Sequence, residues 1–287
     1  MPEFLGPAIA RDRLRVRLRE LRESRSMLVE QVVSAVGWPA SGLGDVESGA
    51  RTIQPFALES VLSFYGCGDG ETAELIRLAR IAWTPLSQAR HRLTDEYQQF
   101  VGYESEASRI THYQPLIVPG LLQTAAYAMA ITATILGARP TDADVVTVVQ
   151  VRRERQRVVE NRLTAGDLLQ VVAILDEVVL RRWIGGEEVM RAQLEHLLHQ
   201  ARQAHISLII MPTAGGGHAG LGGVFELLEF PDSDDDDLVF IESATGDSLS
   251  RNPEVTAQYR GKVDRLRAEG EYGDRALRLI QDVLDGR

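Results

Sequence analysis

The chain has 287 residues, 44% of them hydrophobic and 25% charged, with a formal net charge of −10. That length and balance fit about two globular domains with sizeable cores, and the acidity counts against a dedicated nucleic-acid binder unless basic side chains gather on one surface. The single cysteine, Cys67, excludes an intrachain disulfide and fits a reducing cytoplasm. The opening residues do not read as a signal peptide, and no run reaches the ~20 apolar residues that span a bilayer.

Ile9, Leu14, Leu18 and Leu21 recur at roughly helical spacing, which predicts a helix over 9–25 although RLRVRLR also alternates. LVEQVVSAV (28–36) predicts a second, short helix ended by Gly37 and Pro39. Ala40–Glu47 is a third, and Pro55 opens a fourth that runs to Tyr65. Helix resumes from Glu71 to about Ala82, and Trp83-Thr84-Pro85 marks a boundary. Beyond it, 88–101 reads as helix, 105–114 as extended, and 121–136 and 141–160 as helices. Thr141 and Asp144 resemble a capping box. LLQVVAILDEVVLRR reads as a strand running into a helix, 187–203 as an amphipathic helix, and ISLIIMP, GVFELLEF and LVFIES as strands. Helices close the chain at about 252–268 and 273–285. The expected fold is mainly α with a small sheet (α+β). A helix-turn-helix bundle with a connecting helix over 1–82 precedes an α+β ligand- or partner-binding domain over 83–287.

The pattern of short helix, tight turn and short helix at 28–48 resembles λ-repressor-like (XRE-type) domains, whose second helix enters the major groove. Val32, Val33, Gly37, Leu43, Val46, Glu47-Ser48-Gly49 and Arg51 carry the likeness. The blocks HYQPLIVPGLLQTAAYA, RRERQ, LDEVVLRRWIGGEEVMRAQLEHLL, MPTAGGGHAGLGGVFELLEF and VFIES then resemble, in this order, actinobacterial XRE-type regulators. Those carry a C-terminal domain of unknown function and are described as antitoxin-like transcriptional regulators. The resemblance implies a cytoplasmic, homodimeric DNA-binding regulator whose C-terminal domain senses a small molecule or a small protein partner. Arg13, Ser41 and Arg51 are the candidate DNA contacts. The reading helix departs from the family pattern. Asp45 stands at the usual basic position, Gly42 and Gly44 replace polar contact residues, and Val29 replaces a phosphate-touching Gln. Over 1–66, eight arginines face eight acidic residues. These changes weaken the expected DNA binding.

The candidate ligand-binding set is Gln123, Tyr127, Arg155, Asp176, Glu177, Arg181, His218, Phe225 and Glu242. Arg152, Arg153, Arg155 and Arg157 form a basic stretch that either binds an anion or pairs with Glu154 and Glu160. Asp176 and Glu177 follow an apolar strand, where pocket carboxylates and helix caps both occur. The segment 215–220, GGGHAG, lacks the Lys-Ser/Thr of a phosphate loop and reads as a flexible hairpin carrying His218. The alternative reading is a small-molecule enzyme of natural-product biosynthesis with a relict helix-turn-helix, in which Glu177, His218 and Glu242 are the catalytic candidates. Asp234–Asp237 reads as a solvated hairpin tip. The six histidines are scattered along the chain, so no metal site is expected, and no cofactor fingerprint appears.

Overall fold

A computed structural model describes residues 5–84, 94–243 and 245–286. The chain divides into two compact units, Met1–Ser87 and Gln88–Arg287.

In the first unit, α1 (Pro7–Ser24) begins on a proline, whose fixed φ and missing N–H suit a first helical turn. Leu14, Leu18 and Leu21 point to the core, so the alternating RLRVRLR resolves as helix. At the start of α2 (Val29–Val36) the Leu28 N–H donates to Gln31 Oε1 at 2.8 Å. The helix stops at Gly37, whose φ of 72° is left-handed. An ordinary residue there costs about 1–2 kcal/mol, so glycine sets the sharp turn into α3 (Gly42–Ser48). α4 (Pro55–Tyr65) and α5 (Asp69–Ala82) complete the bundle. Val32, Val33, Leu43 and Val46 are buried against Leu58, Leu62 and Leu75. Each such side chain contributes roughly 1.5–3 kcal/mol. Among the ion pairs of this unit is a buried one between α1 and α3. Both carboxylate oxygens of buried Glu47 accept from Arg22, Oε1 from Nε at 2.8 Å and Oε2 from Nη2 at 2.7 Å, which ties α3 to α1.

The second unit is built on a mixed sheet. Its strands are β1 (Arg109–Gln114), β2 (Gln170–Asp176), β3 (Ile206–Met211), β4 (Phe225–Glu229), β5 (Leu238–Ile241), β6 (Ser248–Ser250) and β7 (Glu271–Tyr272). The order is β6-β5-β4-β1-β2-β3-β7, with β1, β2 and β3 parallel and the other pairs antiparallel. Helices α6 (Asp95–Glu104), α7 (Ala125–Leu136), α8 (Ala143–Thr164), α9 (Val178–Arg181), α10 (Glu187–Gln200), α11 (Pro253–Glu269) and α12 (Asp274–Leu284) surround it. On one face Ala173, Leu175, Leu208 and Ile210 pack against α7, α10 and α12. On the other, Val172, Ile174, Ile209 and Leu227 meet Val263 and Leu266 of α11. Covering both faces accounts for the nearly unbroken apolar runs of β2 and β3.

This is the expected α+β class with its N-terminal helix-turn-helix, and the sheet is larger than expected. β6 and β7 have only three and two residues, too short to show an alternating pattern. The capping box at Thr141 is not formed. Asp142 takes the N-cap position, and its carboxylate accepts instead from Arg139 N and Nε at 3.0 and 3.1 Å. Of the helix expected at 88–101, residues 88–93 lie outside the described residues, and α6 begins at Asp95. Pro85 of the expected boundary is likewise outside them. Among the described residues no helix is long and apolar enough to cross a membrane.

Two glycines separate packing from conformation. A Cβ on Gly44 would meet nothing within 4 Å, whereas one on Gly270 would collide with Ile209 Cγ2 and stand 2.9 Å from the Leu266 carbonyl. Gly44→Ala is expected to stabilise by about 0.5–1 kcal/mol, and Gly270→Ala to destabilise by about 1–3 kcal/mol. Chemical denaturation of the full chain measures both; a destabilised Gly44→Ala would mean that α3 needs glycine there.

Candidate functional site

The helix-turn-helix face is the first candidate. Ser41 is exposed at the N-terminus of α3, and Arg51 is exposed just beyond its end. Arg51 Nη2 stands 3.5 Å from Asp45 Oδ2, so a candidate contact already faces the misplaced carboxylate. Arg13 lies half-buried on α1, and its charge bears on Glu74 of α5. The other arginines are largely spent within the unit. Arg15 pairs with Asp12 at 2.7 Å, Arg17 with Glu20 and Glu71, Arg77 with Glu74, and Arg25 donates to the Tyr65 carbonyl at 2.6 Å.

The second candidate lies in the C-terminal unit, on the sheet face of Ala173 and Leu175. His112 of β1 stands directly opposite Glu226 of β4, and both are buried. His112 Nδ1 and Glu226 Oε2 are 3.0 Å apart but not aligned as a hydrogen bond, and neither ring nitrogen makes one. Arg155 of α8 reaches the same place. Its Nε and Nη2 donate to the two oxygens of Glu104 at 2.6 and 2.5 Å, and its Nη1 to the Tyr97 hydroxyl at 2.6 Å. The guanidinium also lies 5.1 Å from the centre of the Phe100 ring and 3.9 Å from Glu226 Oε2. Burial opposes ionisation of Glu226, but the His112 ring and the Arg155 and Arg152 guanidiniums outweigh it and hold the carboxyl below its ordinary range.

Ligand atoms of Glu104, His112 and Glu226 lie within 4.8 Å of one another, close enough in principle for a cation. The donor set does not fit one as it stands. Both Glu104 oxygens are taken by Arg155, whose own positive charge occupies the place that a metal's charge would fill. The cluster acts instead as a buried electrostatic joint between α6, α8, β1 and β4.

Around it, Arg152 Nη1 donates to Gln123 Oε1 at 2.9 Å and to Thr132 Oγ1 at 3.1 Å. Gln123 Nε2 donates to the Val118 carbonyl at 2.6 Å, and the Tyr127 hydroxyl accepts from the Val118 N–H at 3.2 Å. Gln123 and Tyr127 thus brace the segment between β1 and α7. Glu242 is exposed just after β5, yet the surrounding protein, then Glu226 and Asp247, push its carboxyl up. It therefore belongs electrostatically to this cluster.

The remaining candidates gather at the carboxyl ends of β2 and β3. Asp176 Oδ1 accepts from the N–H of Val178, the first residue of α9, at 3.1 Å, and Oδ2 lies 3.4 Å from His218 Nε2. His218 Nδ1 accepts from the Gly220 N–H at 3.2 Å, which assigns the proton to Nε2. Both ring nitrogens are engaged, and the ring latches the glycine-rich loop to β2. Glu177 Oε1 accepts from Arg181, and Oε2 from the Thr213 N–H and hydroxyl at 3.0 and 2.8 Å. Burial opposes ionisation of Glu177, but Thr213 and Arg181 outweigh it and keep the carboxyl below its usual value. Phe225 stacks on Tyr113 at 5.6 Å. The Tyr113 hydroxyl makes no hydrogen bond, and burial, helped by Asp176, pushes it up to about 12.

Thus the fold parts the candidate set. Gln123, Arg155 and Glu242 group on one side of the sheet, and Asp176, Glu177, Arg181, His218 and Phe225 at the strand ends. Glu104, His112 and Glu226 were missed, although a polar residue inside RITHYQ and another inside FELLE were visible signals.

Residues 97–282 match the family described as Domain of unknown function (DUF5753), and residues 13–75 match a helix-turn-helix domain. The chain belongs to the DUF5753 family. No curated protein matches it. The buried cluster of Glu104, His112, Arg155 and Glu226 lies wholly within the DUF5753 match.

Removing one partner of a buried pair leaves the other uncompensated and costs about 3–5 kcal/mol. Arg155→Met is expected to destabilise the DUF5753 domain by that much, and the double variant Glu104→Met/Arg155→Met to recover at least half of it in denaturant melts. Equal losses in both would show that Arg155 acts through packing. Glu226, held below its unfolded value, stabilises the fold above the unfolded pKa of about 4.3, and that stabilisation is lost as pH falls through the folded value. Unfolding measured from pH 7 to pH 3 is expected to lose stability on the acid side, with a shallower loss in Glu226→Gln.

Proposed function

We propose that the chain is an XRE-type transcriptional regulator. It binds DNA as a cytoplasmic homodimer through α2 and α3, and its DUF5753 domain responds to a small molecule or a small protein partner. One observation carries the reading: a helix-turn-helix match over 13–75 coincides with two short helices joined through a left-handed glycine. In such modules the first turn of the second helix meets base edges and a dimer reads paired half-sites. Ser41 at the start of α3, Arg51 beyond its end and Arg13 on α1 are the proposed contacts. The ordered blocks of the C-terminal half support the finer placement among antitoxin-like regulators of actinobacterial type.

The affinity is weak on this reading. Phosphate contacts supply most non-specific binding, and here Asp45 repels phosphate and draws on Arg51. A gel-shift assay with DNA upstream of the chain's own gene, at about 50 and 200 mM salt, tests it. A weak shift that fades with salt is expected; no shift at the lower salt would sink the proposal. Asp45→Lys is expected to tighten binding about tenfold and steepen the salt slope by about one phosphate contact.

A further inference from the structure

The helix-turn-helix unit leaves three large aromatic side chains open around one cavity. Trp38, between α2 and α3, is half-buried, Phe56 in the first turn of α4 is 71% exposed, and Trp83 just after α5 is 45% exposed. All three line a pocket of about 270 Å³, and most of its other walls are apolar too. Among the described residues none of these rings touches another aromatic ring or a cation, so no internal contact already uses their faces.

Arg51 lines the same pocket and is its one formal charge. Its backbone N–H donates to the Asp45 carbonyl at 3.0 Å, which ties it to α3. Gly42, the first residue of α3, lies between Trp38 and Arg51. A Cβ there would meet Trp38 Cε3 at 3.4 Å and Arg51 Nη2 at 3.7 Å. The indole and the guanidinium therefore converge on one backbone position, within reach of a single small molecule. A guanidinium carries five N–H donors. Among the described residues only Nη2 has a partner, Asp45 Oδ2 at 3.5 Å. An exposed pair of that length holds the cation weakly.

We propose that this pocket binds a small aromatic carboxylate, its ring among Trp38, Phe56 and Trp83 and its carboxylate on Arg51. Aromatic walls suit a flat apolar body, through burial and through offset or edge-on ring contacts. The planar guanidinium fork matches a carboxylate, which it binds through paired N–H donors. The lining holds no acidic residue, so a cationic ligand finds no partner in it. The site is separate from the DUF5753 domain, and ligand binding at it stands whether or not α3 reads DNA. Where α3 does read DNA, a carboxylate on Arg51 competes with phosphate for that side chain.

Isothermal titration of hydrocinnamate into the full chain, without DNA, is the test, with folding of each variant checked by circular dichroism. One equivalent is expected to bind saturably. Arg51→Gln and Trp83→Ala should each weaken binding about tenfold. Asp45→Asn, which removes the competing carboxylate, should tighten it about threefold. Hydrocinnamamide, the same body without the charge, should bind more weakly than the acid and be indifferent to Arg51→Gln. The absence of saturable binding overturns the proposal, as does acid binding that either Arg51→Gln or Trp83→Ala leaves unchanged. Self-association that Phe56→Ala abolishes, in a chain that binds no hydrocinnamate, would assign the rings to a second copy and also overturn it.

Discussion

Arg155 is a guanidinium buried beneath two helices and a sheet, and much of the C-terminal domain is arranged around that fact. Withdrawing such a charge from water costs several kcal/mol unless each N–H finds a partner. Here Glu104 takes two donors, Tyr97 takes another, and the guanidinium carbon lies 5.1 Å from the centre of the Phe100 ring. Each partner comes from α6, which therefore cannot shift along α8 without stranding a charge. Glu226 and His112 extend the constraint into β4 and β1. The stacking of Phe100 on Phe240, at 4.3 Å, seals the cluster on the β5 side.

The same economy of charge governs the N-terminal unit, with a different consequence. Arg22 holds Glu47 and so fastens α3 to α1. Pairing of Arg15, Arg17 and Arg77 with nearby acids stabilises the bundle while drawing positive charge away from any polyanion. A module can keep the packing of a helix-turn-helix and lose much of its long-range attraction for DNA, because packing depends on apolar side chains and attraction on unspent arginines.

Much of the framework was legible beforehand. The helices of the first unit followed from leucine spacing and from glycines at their ends. β2 and β3 showed as apolar runs bounded by breakers. The site was less legible. Of the nine ligand-binding candidates, Asp176, Glu177 and His218 lie together, yet their hydrogen bonds go to Val178, Thr213, Arg181 and Gly220, which a linear reading cannot assign. In the sequence Arg155 is one of a basic stretch, but its partners lie some fifty residues earlier and seventy later.

What the sequence by itself determined is local: where helices start and stop, which faces are apolar, and that Asp45 and two glycines occupy a reading helix. These depend on neighbours within a few residues, through backbone conformation and periodic burial. Only the tertiary structure decided which polar residues meet. The antiparallel pairing of β1 with β4 sets His112 opposite Glu226, and α6 and α8 bring Glu104 and Arg155 to them. Charges and imidazoles act over a few ångströms of space, and strand order, not chain order, sets those distances.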